Sequence, residues 1–212
     1  SEIATWMPGD KELSVGNHLF MTIQWMLSSF ANEGKAFFVA IWAAGFLLLM
    51  KSEKARVYQI LAVVFSVVAL LPYAGISFFS EMGIGDIDIE QCLMELPTWQ
   101  SMTTPNRMAF FWWIAAVLFT LVLLWKVTGH SVFISMVFLG GIASEAVLYF
   151  SPTIYASGAR VYYLTDLMYL FIILWMVMRM DSEKKKNLFI AGVVVLGVAN
   201  FLSQYSVMLL KL

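Results

Sequence analysis

Residues 140–166 read GGIASEAVLYFSPTIYASGARVYYLTD. Two strongly apolar stretches are joined here by a short loop of Ser, Pro, Thr and Gly. Three ionisable residues, Glu145, Arg160 and Asp166, lie in or beside those stretches. A charge at membrane depth is costly and faces a protein interior or a wet cavity. The same stretch therefore sets both the fold class, apolar helices joined by tight outer loops, and the first place to look for function.

Working outward, the whole chain has this character. It is 61% hydrophobic, 16% aromatic and only 13% charged, a composition foreign to soluble domains. A spanning helix needs about 20 mostly apolar residues. Such segments fall at 36–51, 57–79, 108–126, 131–150, 161–179 and 188–210. Lys35 and Lys51 flank the first, short one, where their stems can snorkel. The expected fold is all-α: one integral membrane bundle of about six transmembrane helices, filling residues 1–212 as a single domain.

A net charge of −1 says little, but its placement says more. Lys51, Lys54 and Arg56 fall in one loop, Arg179 and Lys184 to Lys186 in another, and Lys126 and His130 flank a third. These loops share one side if six helices alternate. The positive-inside rule makes that side cytoplasmic. Residues 1–35, the acidic loop 80–107 and the loop 151–160 then lie outside. Residues 18–32 are too short to span. His18, Thr22, Ser28, Ser29 and Asn32 fall near one face and apolar side chains cover most of the rest. An interfacial helix on the outer leaflet, capped by Asn17, fits this pattern. An ordinary buried helix is the alternative. The chain opens without Met on a polar run, which points to a fragment of a longer protein or a processed chain. Cys92 is the only cysteine, so no intrachain disulfide forms.

Candidate chemistry concentrates on the outer side. Glu145 and Asp166 each lie about one and a half turns from an outer helix end. Arg160 begins the fifth span. An Arg between two acids pairs with them as a structural ion cluster, or binds a phosphate bidentately. Ser151, Thr153, Ser157 and the backbone at Gly158 supply small donors beside it. Asp86, Asp88 and Glu90 alternate, as oxygen ligands for a divalent cation would in an extended segment, and equally as solvated loop charge. No Gly-rich phosphate loop, Ser-His-Asp order or nucleic-acid signature is present.

Two motifs occur together: Met7-Pro8-Gly9-Asp10 before a polar helix, and Ser151-Pro152-Thr153 followed by Ala156-Ser157-Gly158-Ala159-Arg160. The second is reached from a span holding Ala143-Ser144-Glu145. This combination resembles the C-terminal half of bacterial polytopic proteins of unknown function allied to O-antigen glucosyltransferases, in the GT-C class of membrane glycosyltransferases. The resemblance implies a multi-pass protein of the bacterial inner membrane with its N-terminus outside. It implies a polyprenyl-phosphate sugar as donor and transfer on the outer face. Arg160, Ser151, Thr153 and Ser157 would hold the donor phosphate, with Glu145 and Asp166 orienting Arg160. The class carries its catalytic carboxylate in the first outer loop of the full protein, and no such loop is visible here. The expected partners are membrane lipid and a lipid-linked sugar, with no nucleic acid and no resident cofactor. A transporter or flippase-like subunit and a structural membrane scaffold remain the other readings.

Overall fold

The computed structural model describes residues 14–71, 104–129, 132–149 and 162–210. Among them the regular structure is helical throughout. α1 is Val15–Ser29, α2 Lys35–Leu49, α3 Arg56–Leu70, α4 Thr104–Val127, α5 Val132–Tyr149, α6 Tyr163–Met178 and α7 Glu183–Leu210. The helix bodies follow the apolar runs, because a helix satisfies every internal backbone group within itself. Of the span expected at 57–79, Arg56–Leu70 is helical and residues 72–79 lie outside the described residues. Among the described residues one helix, Arg107–Val127, is long and apolar enough to cross a membrane. Lys35–Leu49, Val132–Val147 and Tyr163–Met178 are shorter apolar helices.

α2 is the centre. It packs against α3, α4, α6 and α7, and Phe38 through Trp42, Ala44, Gly45 and Leu47 are all buried. A helix that is apolar all round belongs inside a bundle. Its rings form a connected aromatic core, with Phe38 in contact with Trp42, Trp113, Phe138 and Tyr169 at 5.6–5.9 Å between centroids. Gly45 lets α4 approach: a Cβ there would lie 2.7 Å from Leu123 Cδ2 and 3.0 Å from its Cγ. Leu123 is itself fully buried and has nowhere to swing. Gly45→Ala should therefore destabilise the bundle by about 1–3 kcal/mol through overpacking. Thermal unfolding in detergent checks this, and an unchanged midpoint would show that α2 and α4 separate more easily than drawn.

The first helix differs from expectation. Ser14, not Asn17, is the N-cap: Asn17 N–H donates to Ser14 Oγ at 3.2 Å. The helix then runs through a π-helical turn, Phe30–Gly34, directly into α2. It packs on α4 and α5. Thr22 and Gln24 are buried while Leu19 is 52% exposed, the reverse of an interfacial helix with polar groups toward water. The reason is the seam Met21, Leu27 and Phe30, each 1% exposed. Its roughly three-residue spacing carries Gln24 inward with it. The alternative of a buried bundle helix is the one realised.

The three basic loops meet at one end. Lys51 Nζ lies 2.7 Å from Asp181 Oδ2, and Lys185 Nζ lies 2.9 Å from Asp181 Oδ1. Lys126 sits over the Tyr58 ring at 5.9 Å. Gln59 Nε2 donates to the carbonyls of Leu49 at 2.7 Å and Ser52 at 3.2 Å, closing the C-terminal end of α2. α4 stops at Gly129, whose φ of +65° suits glycine in a helix-ending turn. Hydrogen bonds from Lys51, and next Lys185, hold the Asp181 carboxyl well below the usual carboxylate range. A depressed carboxylate contributes fully above its ordinary pKa and loses that contribution only as pH falls through the depressed value. The clasp should thus be constant from neutral pH down to about 4, near the usual aspartate value, and weaken only below it. Hydrogen exchange of the 179–183 amides in wild type against Asp181→Asn, compared at each pH, measures this. A gap that closes between pH 7 and 5 would refute it.

Candidate functional site

At the end away from the basic loops, α5 and α6 pack through small residues. A Cβ on Gly141 would lie 3.1 Å from Tyr169 Cε1 and 3.7 Å from both Met168 Cβ and Thr165 Cγ2. Small residues at a helix seam let backbones approach and polar side chains cross. Ser144 Oγ donates to the Gly141 carbonyl at 2.8 Å. Thr165 Oγ1 lies 3.2 Å from that carbonyl and 3.2 Å from Ser144 Oγ. The two helices are stitched by hydroxyls around one carbonyl oxygen.

One turn along this seam stand the acids. Glu145 follows Ser144 on α5 and is 1% exposed. Asp166 follows Thr165 in the first turn of α6, where the positive end of the helix dipole suits a carboxylate, and is half-buried. Glu145 lies one turn past Gly141, the residue that packs on Tyr169, and Asp166 lies three residues before Tyr169 on α6. The two acids singled out from the sequence therefore stand on the two helices of one seam, beside a tyrosine. Arg160, Ser151, Thr153 and Ser157 lie outside the described residues. So do Asp86, Asp88 and Glu90. Among the described residues no group of three or more His, Cys, Asp or Glu is arranged to hold a metal ion.

Tyr169 was not evident beforehand. Its ring is 1% exposed and meets Phe30, Phe37, Phe38 and Phe138 at 5.5–6.5 Å between centroids. This places the π-helical turn and the start of α2 across from the acids. Half-buried Lys35 opens α2 there. The Tyr169 Oη is buried and has no hydrogen-bond partner among the described residues. A buried hydroxyl without a partner is costly, and such groups concentrate where a ligand or ordered water is received. The available signal was spacing. Thr165, Asp166 and Tyr169 lie at i, i+1 and i+4, and Gly141, Ser144 and Glu145 at i, i+3 and i+4. The i, i+4 spacing stacks Thr165 and Tyr169 on one face of α6, and the i, i+3 and i, i+4 spacings stack Ser144 and Glu145 beside Gly141 on α5.

The arrangement offers two carboxylates, one hydroxyl without a partner among the described residues and two hydroxyls engaged with a carbonyl, at the end where α5 finishes and α6 begins. It can orient a cation or guanidinium and give or accept hydrogen bonds to a polar group arriving from that side. Compared with protein families, curated proteins and solved structures, the chain matches none of them.

Proposed function

We propose that the chain is a multi-pass bundle in the bacterial inner membrane and belongs to a glycosyltransferase that uses a polyprenyl-phosphate sugar at the outer face. The observation that carries the reading is Glu145. It is an acid buried in a helical bundle, on the seam that also holds Asp166 and Tyr169, whose hydroxyl has no partner among the described residues, and it lies near the end of the helix that precedes Arg160 in the sequence. The exterior of α3 to α7 supports a membrane setting: Val64, Phe111, Phe133, Leu174 and Phe201 are among its many exposed large apolar side chains. Apolar surface on that scale is foreign to a soluble monomer. The shorter apolar helices would span with local thinning and snorkelling lysines.

In this reading Arg160, with Ser151, Thr153 and Ser157, holds the donor phosphate. Glu145 and Asp166 set the guanidinium plane, and Tyr169 adds a hydrogen bond on the buried side. In the transfer itself, the bond from the sugar anomeric carbon to the phosphate oxygen breaks as a bond to an acceptor hydroxyl forms. The acceptor proton passes to a carboxylate, which the family resemblance places in a first outer loop. Arg160 stabilises the charge left on the leaving phosphate, where preorganised donors act most strongly.

The topology has a direct check. Single cysteines at Lys54, Glu95 and Lys184, in a background with Cys92 replaced, should react with an impermeant thiol reagent from opposite sides. Position 95 should label from outside, and 54 and 184 only after the membrane is opened. Labelling of 95 only from the cytoplasm would sink the topology. Lys184 is chosen over Lys185 because the latter is buried against Asp181.

A transporter is the second reading. It draws on the π-helical turn Phe30–Gly34, since irregular helix inside a bundle marks many substrate paths. Flux of a labelled lipid-linked sugar across proteoliposomes, with no transfer of the sugar to an acceptor, would favour it.

A further inference from the structure

A second feature lies on the opposite flank of α2. α2, α3 and α7 line a groove of about 650 Å³ there, floored by Val39, Ala43 and Phe46 of α2. Ligand sites commonly occupy about 300–1,000 Å³, so the groove is large enough for a real occupant. Val63, Val67 and Leu70 form one wall; Leu188, Val195 and Ala199 form the other. Among the described residues of the lining, Ser66 is the one polar side chain besides the Trp42 indole, whose N–H is already bonded to Thr120. No sugar, nucleotide or peptide backbone would be satisfied in such a surface, because each needs hydrogen-bonding partners. Hydrocarbon needs none.

Cations stand on the helix faces that line the groove, toward the basic end. Both walls start at the basic end, α3 at Arg56 and α7 at Glu183. Arg56 lies seven residues before Val63 and fourteen before Leu70, so it shares their helix face. Lys184 lies four residues before Leu188 and shares its face. Both cations are exposed, and neither takes part in an ion pair among the described residues. Lys51, Lys185 and Lys186, in contrast, are committed to Asp181 and Glu183. Two uncommitted cations above an apolar channel match an anionic headgroup above its acyl chains.

We propose that the groove between α3 and α7 seats an anionic phospholipid of the basic-side leaflet, its phosphate between Arg56 and Lys184 and an acyl chain along α2. The inference rests on the membrane setting proposed above, not on sugar transfer. It concerns the leaflet opposite the candidate outer site.

The test uses the full chain in mild detergent, titrated with phosphatidylglycerol or with phosphatidylcholine of the same acyl chains. Native mass spectrometry reads the lipid retained. Phosphatidylglycerol should be retained at several-fold lower concentration. Arg56→Gln with Lys184→Gln should erase that preference. Gly192 lines the groove, and a Cβ on it meets nothing within 4 Å. Gly192→Leu can therefore fill the groove without a clash, and should cut retention of both lipids several-fold while the helical signal stays intact. Equal retention of the two lipids by the wild type would overturn the proposal. So would a Gly192→Leu variant that binds as before, or one that alters only the oligomeric state, which would assign the groove to a second copy. Alkaline carbonate extraction separates the two levels. A chain released from membranes would sink the membrane reading together with this one, whereas a chain retained without lipid preference would sink this one alone.

Discussion

Trp42→Ala should lower stability by about 3–5 kcal/mol, the range for deleting a large buried aromatic side chain. Trp42 is fully buried on the central helix. Its ring meets Phe65 at 5.5 Å, Phe38 at 5.8 Å, Trp112 at 6.4 Å and Phe119 at 6.5 Å between centroids. It thereby joins α2 to α3 and α4 at one point. Its Nε1 also donates to Thr120 Oγ1 at 2.8 Å, and that hydroxyl donates to the Ala116 carbonyl at 2.7 Å. In the proposed membrane setting the cavity part of this loss remains, because the residues around the void lose their dispersion contacts whatever surrounds the bundle.

The hydrogen bond can be separated from the packing. Thr120→Val keeps the volume but strands a buried indole N–H, at a cost of about 1–3 kcal/mol. Trp42→Phe removes that donor and leaves Thr120 bonded to Ala116. The double variant should then cost less than the sum of the singles, because the stranded donor is gone. Chemical denaturation in detergent measures all four proteins. A loss below about 1 kcal/mol for Trp42→Ala, ordinary for a surface site, would show that α2 is not the centre of the bundle.

The contrast between Trp42 and Lys51 explains what was legible in the sequence. Helix bodies were, because apolar runs without breakers announce themselves. Segments read at 108–126, 131–150 and 161–179 are found as Thr104–Val127, Val132–Tyr149 and Tyr163–Met178. The basic loops were legible too, and their meeting at Asp181 and Tyr58 follows from alternation. α7 begins at Glu183, ahead of the apolar run at 188, because hydropathy marks apolar length and not helix length. Charged residues extend the helix where Lys185 and Lys186 donate backbone N–H to the Ser182 carbonyl. α1 differs from the interfacial helix expected because Thr22 of the expected polar face turns inward, together with Gln24 from outside that face. A polar face is indistinguishable from a water-facing one until its neighbours are known.

The site was half legible for a related reason. Glu145 and Asp166 stand out as charges in apolar surroundings, which is a property of one segment at a time. Tyr169 does not, since a tyrosine in an apolar helix is commonplace. Its role depends on Gly141 opening the seam from another helix and on Phe38 closing it from a third. The Trp42–Thr120 bond spans 78 positions and leaves no trace in any local periodicity.

Arg160 is the residue on which the proposed function turns, and its replacement should abolish binding of a polyprenyl phosphate while leaving the bundle assembled. The competing account gives Arg160 only an ion pair with Glu145 or Asp166. Under that account Arg160→Ala strands an acid that is buried at position 145. Breaking a buried pair from one side costs about 3–5 kcal/mol, enough to lower the melting temperature in detergent by many degrees. Loss of binding in the single variant would then merely reflect unfolding. Arg160→Gln combined with Glu145→Gln resolves this, because it removes both charges at once and strands neither. Stability should return in the double variant under either account. Binding of polyprenyl phosphate to the stable double variant, read by native mass spectrometry, is the deciding quantity. We expect stability restored and binding still lost, since Ser151, Thr153 and Ser157 supply hydroxyl donors that an ion pair alone does not use. Restored binding would reject the phosphate role and leave Arg160 as a brace between α5 and α6.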